Sequence, residues 1–271
     1  MGEQLSERVA LESVLTGMGA IAVAVSGGVD SLTLATFAHR LLSGRVRMFH
    51  AVSPAVPGEG TQRTQALAQR EGWALRVIDA GEFDDVDYLR NPVNRCFYCK
   101  TSLYGAIRPQ TDAQIVSGTN LDDLGEYRPG LIAAKEHGVR HPFVEAAMTK
   151  QDVRTLARAL GLTQVAELPS SPCLSSRVET GIAIDPAVLA AIHAAEQLVA
   201  EQLEPRTVRC RVRASGVAIE LDEGTLAALD DARRRVLSEQ IGVRFASTGL
   251  TGPVRFEVYR TGSAFLHFKP R

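Results

Sequence analysis

The chain has 271 residues, 45% of them hydrophobic and 23% charged, the balance of a globular protein long enough for one large domain or two ordinary ones. Thirty basic residues face 31 acidic ones, so no whole-chain field draws the protein to nucleic acid or to an anionic membrane. Residues 1–8 carry charges rather than a signal-peptide core, no run approaches the length of a membrane span, and four cysteines are too few for a disulfide scaffold, so a cytoplasmic protein is expected.

In chain order, Leu11, Val14, Leu15 and Met18 recur at helical spacing and predict an amphipathic helix ending at Gly17 or Gly19, beside the first strand. The apolar run 20–25 stops in Ser26-Gly27-Gly28-Val29-Asp30-Ser31, and a helix is predicted over 31–42. A strand that ends in glycines and restarts as a helix is a phosphate cradle, because glycine lets backbone amides approach an anion and the helix start aims its dipole at the same point. Ser26 and Ser31 add hydroxyls, and Asp30 is placed to hold Mg²⁺ against the phosphates. Neither G-x-x-x-x-G-K-[ST] nor G-x-G-x-x-G occurs, which excludes the two commoner nucleotide loops.

A second strand is predicted over 46–52, ending at Ser53-Pro54, and in a doubly wound sheet its end sets Val52 and Ser53 toward an adenine. A helix over 62–71 and strands over 75–78 and 114–117 follow, and this alternation predicts a parallel α/β sheet. The last strand leads into Ser117-Gly118-Thr119-Asn120-Leu121-Asp122-Asp123, a second glycine turn at a strand's carboxyl end. Asp122 and Asp123 read either as further Mg²⁺ ligands or as an acidic helix start. Helices are predicted over 131–138 and 150–160, the second capped by Thr149 and closed by Gly161.

Residues 168–177 break all periodicity, and the domain boundary falls here or just beyond, giving domains 1–180 and 181–271. An apolar helical stripe runs over 186–203. Val208, Cys210 and Val212 then alternate with Arg209, Arg211 and Arg213, and Val217, Ile219 and Leu221 with Ala218, Glu220 and Asp222, which predicts a hairpin with one apolar and one polar face. A helix over 226–241 and a strand over 254–259 complete a small α+β domain.

Cys96 and Cys99 stand three residues apart; if Cys99 opens the helix that follows, both thiols face one point and the helix-terminal amides favour thiolates. Cys173, in a proline-braced loop, is a possible third ligand, whereas the alternation of its strand puts Cys210 in the core. Three thiols leave structural zinc one ligand short unless a histidine completes it, and they suit a [4Fe-4S] cluster with one open iron; a redox disulfide or unrelated thiols stand beside these.

SGGVDS, SGTNLDD, Tyr127-Arg128-Pro129-Gly130, the stretch from His141-Pro142-Phe143 to Thr149-Lys150, SPCLSSR and CRVRASGVAIEL together resemble the LarE family of ATP-dependent sulfur transferases, within the PP-loop ATP pyrophosphatases. The resemblance implies a Rossmann-like PP-loop domain followed by a smaller α+β domain, with ATP held by Ser26, Gly27, Gly28, Asp30, Ser31, Val52, Ser53, Gly118, Thr119 and Asn120. It further implies that a carboxylate of pyridinium-3,5-biscarboxylic acid mononucleotide is adenylated with release of pyrophosphate, and that sulfur replaces AMP, in nickel-pincer-nucleotide cofactor synthesis. One branch of the family takes sulfur from its own loop cysteine, matching Cys173; another is similar in holding a [4Fe-4S] cluster that delivers added sulfide, and Cys96 and Cys99 put this chain there. Homo-oligomers, hexamers in particular, are also implied.

The chemistry fits these residue types on its own terms. A carboxylate is a poor electrophile until its leaving group becomes AMP, and the loop glycines, Ser26, Ser31 and Mg²⁺ would spread the charge of departing pyrophosphate. Arg211 and Arg213, two apart on one strand face, suit a mononucleotide phosphate, with Arg209 a third and Glu220 orienting them; Ser176, Arg177 and Lys100 suit the adenylate or the second carboxylate. Three other readings compete: an ammonia-using PP-loop ligase of the NAD or GMP synthetase type, a tRNA thiolase, which the neutral charge balance disfavours, and a module that senses nucleotide without cleaving it.

Overall fold

The computed structural model describes residues 2–125, 128–170 and 172–264, and Tyr127 and Ser171 of the motifs above lie outside the described residues. Two units emerge, residues 1–85 with 94–171, and residues 86–93 with 172–271.

In the first unit α1 (Gly2–Gly17) leads into β1 (Ile21–Ala24), α2 (Val29–Leu42), β2 (Val46–Ala51), α3 (Gly58–Glu71) and β3 (Leu75–Ile78). Beyond α4 (Val86–Leu89), which belongs to the second unit, come α5 (Arg95–Ile107), β4 (Gln114–Ser117), α6 (Pro129–Glu136), α7 (Pro142–Glu145), α8 (Lys150–Ala159) and α9 (Thr163–Ala166). The four strands pair in parallel in the order β3-β2-β1-β4. Ile21 and Val23 of β1 enter a core with Leu11, Leu15, Leu32 and Val153, while Ala22 enters a second core with Phe49, Tyr104, Ile107 and Ile115. Successive strand residues point to opposite faces, so helices cover this sheet on both sides, as an all-parallel sheet requires. The chain leaves β1 toward β2 on one side and returns as β4 on the other, so the crevice of the strand-order reversal lies outside the ends of β1 and β4.

The second unit contains α4, α10 (Pro186–Leu203), β5 (Val208–Arg213), β6 (Gly216–Leu221), α11 (Glu223–Ala227), α12 (Asp231–Phe245) and β7 (Arg255–Val258). β5 and β6 form the predicted hairpin, and β7 adds to β6 in parallel. Residues 86–93 join this unit through Asn91, fully buried, whose Nδ2 donates to the carbonyls of Glu179 and Ile182 at 2.9 Å each.

Local differences from the expected elements have local causes. The predicted helix over 226–241 is two helices, because Asp230 caps a fresh start by accepting from the Arg233 amide at 2.8 Å. The helix expected over 131–138 runs Pro129–Glu136 instead, with its proline in the first turn, where no amide hydrogen is missed. The helix that carries the cysteine pair opens at Arg95, one residue ahead of Cys96, rather than at Cys99. The hairpin's second face is not a polar surface: Arg211 is 4% and Glu220 1% exposed.

Candidate functional site

The two glycine turns singled out by sequence meet in the first unit. Gly27 has φ +82°, and a Cβ there would lie 2.6 Å from the Gly60 carbonyl oxygen, so the turn of α3 closes on a loop that tolerates only glycine. Gly118 faces the other flank: a Cβ there would lie 2.8 Å from the carbonyl carbon of Asp30 and the amide of Ser31. The turn after β4 therefore rests directly on the first turn of α2. Arg63 donates to the Gly27 carbonyl at 2.7 Å, and the Ser31 hydroxyl accepts from the Ser26 amide at 3.0 Å, lies 3.1 Å from the Ser26 hydroxyl and donates to the Gly28 carbonyl at 3.2 Å. Ser31, 5% exposed, shapes the loop from within. Gly28 caps α2 without a side-chain hydrogen bond, which leaves the helix-start dipole directed at the loop.

Asp30, on this first turn, receives Asn120 Nδ2 on Oδ1 at 3.2 Å and Lys150 Nζ on Oδ2 at 2.5 Å. Asp122 and Asp123 serve the turn instead: Asp122 accepts from the Lys150 amide at 3.1 Å, and Asp123 from the Asn120 amide at 3.1 Å while pairing with Arg128 at 2.9 Å. Both carboxylates thus act as caps and braces. Thr149 caps α8 in a reciprocal box with Asp152, which anchors the root of Lys150. The Ser117 hydroxyl lies 3.1 Å from the Thr119 hydroxyl and 2.9 Å from His141 Nδ1. Burial holds the His141 imidazole below its ordinary pKa, against the opposing pull of Glu145 and Asp123. His50, fully buried, donates from Nδ1 to the Val25 carbonyl at 2.9 Å, its Nε2 lies 2.9 Å from the Thr61 hydroxyl, and burial lowers its pKa as well. Val52 and Ser53 follow the end of β2, the strand beside β1, and the Ser53 hydroxyl accepts from the Ala55 amide at 3.3 Å.

Cys96, Cys99 and Lys100 sit half-buried on α5, the two thiols one helical turn apart on neighbouring positions. Cys173 belongs to the second unit, half-buried at the start of the short helical turn Leu174–Arg177. Among the described residues no three His, Cys, Asp or Glu side chains form a group that would hold a metal ion. Cys210 is fully buried and burial pushes its thiol pKa well up, the behaviour of a core residue.

In the second unit Arg177, 2% exposed, makes a two-pronged bond to Glu196 at 3.0 and 3.1 Å and donates from Nη1 to the carbonyls of Pro172 and Cys173 at 2.6 and 3.2 Å. It clasps the cysteine loop onto α10, and it also donates to the Ser176 hydroxyl at 3.1 Å. Glu220 accepts from Arg211 at 2.8 Å, Arg213 at 2.5 Å and Ser263 at 2.5 Å, while Arg213 also pairs with Glu257 at 2.7 Å. Arg211 Nη1 donates to the Ser176 carbonyl at 3.1 Å, so hairpin and cysteine loop are tied in one network. Arg209, its guanidinium 5.9 Å from the Tyr259 ring centre, has its pKa lowered by burial and then by Arg177.

Lys150, Arg63, His141 and Glu196 carry no role in the expectations drawn from sequence. Lys150 meets Asp30 across 120 positions, a span no periodicity reports; its place behind a helix cap and at the end of the Thr149-Lys150 motif marked it without giving it a role.

No family model matches the chain. An uncharacterized protein of Synechocystis sp. is 37% identical over 203 residues, 73% of this chain and 75% of that protein. The pyridinium-3,5-bisthiocarboxylic acid mononucleotide synthase of Lactiplantibacillus plantarum is 28% identical over 260 residues, 93% of each chain. An uncharacterized protein of Methanocaldococcus jannaschii is 24% identical over 246 residues, 89% of this chain and 91% of that protein.

Proposed function

We propose that the chain, which belongs to one family with the Synechocystis protein, is a LarE-type ATP-dependent sulfur transferase acting on pyridinium-3,5-biscarboxylic acid mononucleotide in nickel-pincer-nucleotide cofactor synthesis. The observation that carries the reading is the junction of the two glycine turns at the strand-order reversal, with Asp30 between them.

A substrate carboxylate oxygen attacks the α-phosphorus of ATP and pyrophosphate leaves. Sulfur then attacks the acyl carbon, the carbon–oxygen bond to AMP breaks, and a thiocarboxylate remains. The amides of the Gly27-Gly28 loop and the start of α2 bind the phosphates and stabilise the charge that develops on pyrophosphate. Mg²⁺ fits Asp30, whose carboxylate already faces a cationic ammonium, and when bound would neutralise phosphate charge there. Asn120 orients that carboxylate. Arg211 and Arg213 are the candidates for the mononucleotide phosphate, working through a network in which Glu220 preorganises both guanidinium groups. Lys100 remains a candidate for the adenylate, and Arg177 and Ser176 support the cysteine loop.

Sulfur delivery belongs to the same proposal. A [4Fe-4S] cluster would take Cys96 and Cys99, one turn apart on α5, with Cys173 as third thiolate, and would supply an open iron for hydrosulfide. The experiment is iron and acid-labile sulfide content of protein purified without oxygen, beside Cys96→Ser. About four irons per chain, lost in the variant, support three-cysteine ligation. Iron-free protein whose Cys173 loses the elements of H₂S on turnover would make Cys173 a sacrificial donor.

A further inference from the structure

Resting on the ATP-dependent reading above, we propose that Lys150 is an exchangeable cation: Asp30 holds it in the nucleotide-free protein and releases it to the triphosphate when Mg²⁺ takes the carboxylate. Nζ lies 2.5 Å from Oδ2 and Asn120 Nδ2 lies 3.2 Å from Oδ1, so both carboxylate oxygens are engaged by donors. Neither partner is sealed off, since the Lys150 side chain is 33% and the Asp30 side chain 25% exposed. A metal arriving from solvent reaches the carboxylate, and the ammonium has somewhere to go.

Mg²⁺ binds carboxylate oxygen at about 2.0–2.1 Å, and a second cation on the same oxygen is then repelled. A metal that took Oδ2 would therefore displace Nζ. The root of Lys150 does not follow, because its amide donates to Asp122 at 3.1 Å and the Thr149–Asp152 box fixes the first turn of α8. Only the flexible four-carbon stem moves. Asp30 is the second residue of α2, so an anion seated on that helix start lies beside Asp30 and within the sweep of the stem. Arg63, in contrast, donates from Nη1 to the Gly27 carbonyl at 2.7 Å, where it braces the loop. Lys150 thus opposes the metal before nucleotide binds and assists the phosphates afterwards, two effects of opposite sign that a brace between α2 and α8 would not produce.

The test uses the full-length protein and α,β-methylene ATP, whose α–β linkage cannot be cleaved, with binding measured calorimetrically across a series of Mg²⁺ concentrations. In Lys150→Met the Mg²⁺ concentration for half-maximal analogue binding falls about threefold, as loss of a half-exposed ion pair implies. At saturating Mg²⁺ the analogue Kd rises about tenfold, the cost of one charge-assisted phosphate contact. Lys150→Gln shows the same two shifts and serves where the methionine variant does not fold, and Lys150→Arg recovers part of the analogue affinity. An unchanged or increased Mg²⁺ requirement in the neutral variants overturns the exchange, and so does an unchanged Kd at saturating Mg²⁺. Wild-type protein that binds no analogue at any Mg²⁺ concentration overturns the ATP reading itself, a failure separate from the first two.

Discussion

In the first unit the groups gathered around the candidate phosphate site are backbone amides, a half-exposed carboxylate and a half-exposed lysine, whereas in the second unit Arg211 and Glu220 face each other at 4% and 1% exposure. The loop offers an anion partial charges that need no counter-ion, and stays adjustable. The hairpin holds full charges out of water, and these persist only because each is paired: Glu220 accepts from two arginines and a serine. Changes at the loop should therefore alter binding and turnover while the fold survives, and changes at the hairpin should alter the fold before they alter recognition.

The largest expected effect is on the loop side. Asp30→Ala removes the proposed Mg²⁺ ligand, and pyrophosphate release falls by about a hundredfold or more, the scale of losing one electrostatic stabiliser; near-normal release rejects the role. On the hairpin side, Glu220→Ala strands Arg211 in the interior and costs about 3–5 kcal/mol, read from chemical denaturation. A variant as stable as wild type would erase the contrast between the regions. Gly27→Ala is next: a left-handed φ and a clash with the Gly60 carbonyl cost about 1–3 kcal/mol of local strain and weaken nucleotide binding more than they lower Tm. Unweakened binding would show that the Gly27–Gly60 contact does not shape the cradle. The smallest effect is of pH. Burial lowers the His50 pKa from 6.5, so the unfolded chain binds a proton that the folded one refuses, and stability decreases as pH falls below 6.5. His50→Gln should flatten that slope in urea denaturation at several pH values, and an unchanged slope would exclude His50 as its source.

Legibility in the sequence follows the range of the physics. β1, β4 and the loop between β1 and α2 were readable because an apolar run that stops in glycine is a local pattern, and the strand predicted over 114–117 matches β4 residue for residue. The meeting of the Gly118 turn with Asp30 was readable only as two turns at strand ends; their contact depends on strand order, which no stretch encodes. The hairpin register was legible from alternation, and Cys210 fell in the core as its strand face demanded. That Arg211 and Glu220 on the other face are also buried was not, because β7 and Ser263 arrive from distant sequence. Lys150 escaped for the same reason, its partner lying in another helix.

Carboxylate activation by ATP followed by sulfur transfer is read out by mass spectrometry of AMP and pyridinium product after turnover of substrate labelled with ¹⁸O in its carboxylates. One labelled oxygen should appear in AMP for each carboxylate oxygen replaced by sulfur, because the oxygen that attacks the α-phosphorus leaves with it. Unlabelled AMP, or labelled AMP beside an amide formed from added ammonia and no thiocarboxylate, would contradict it.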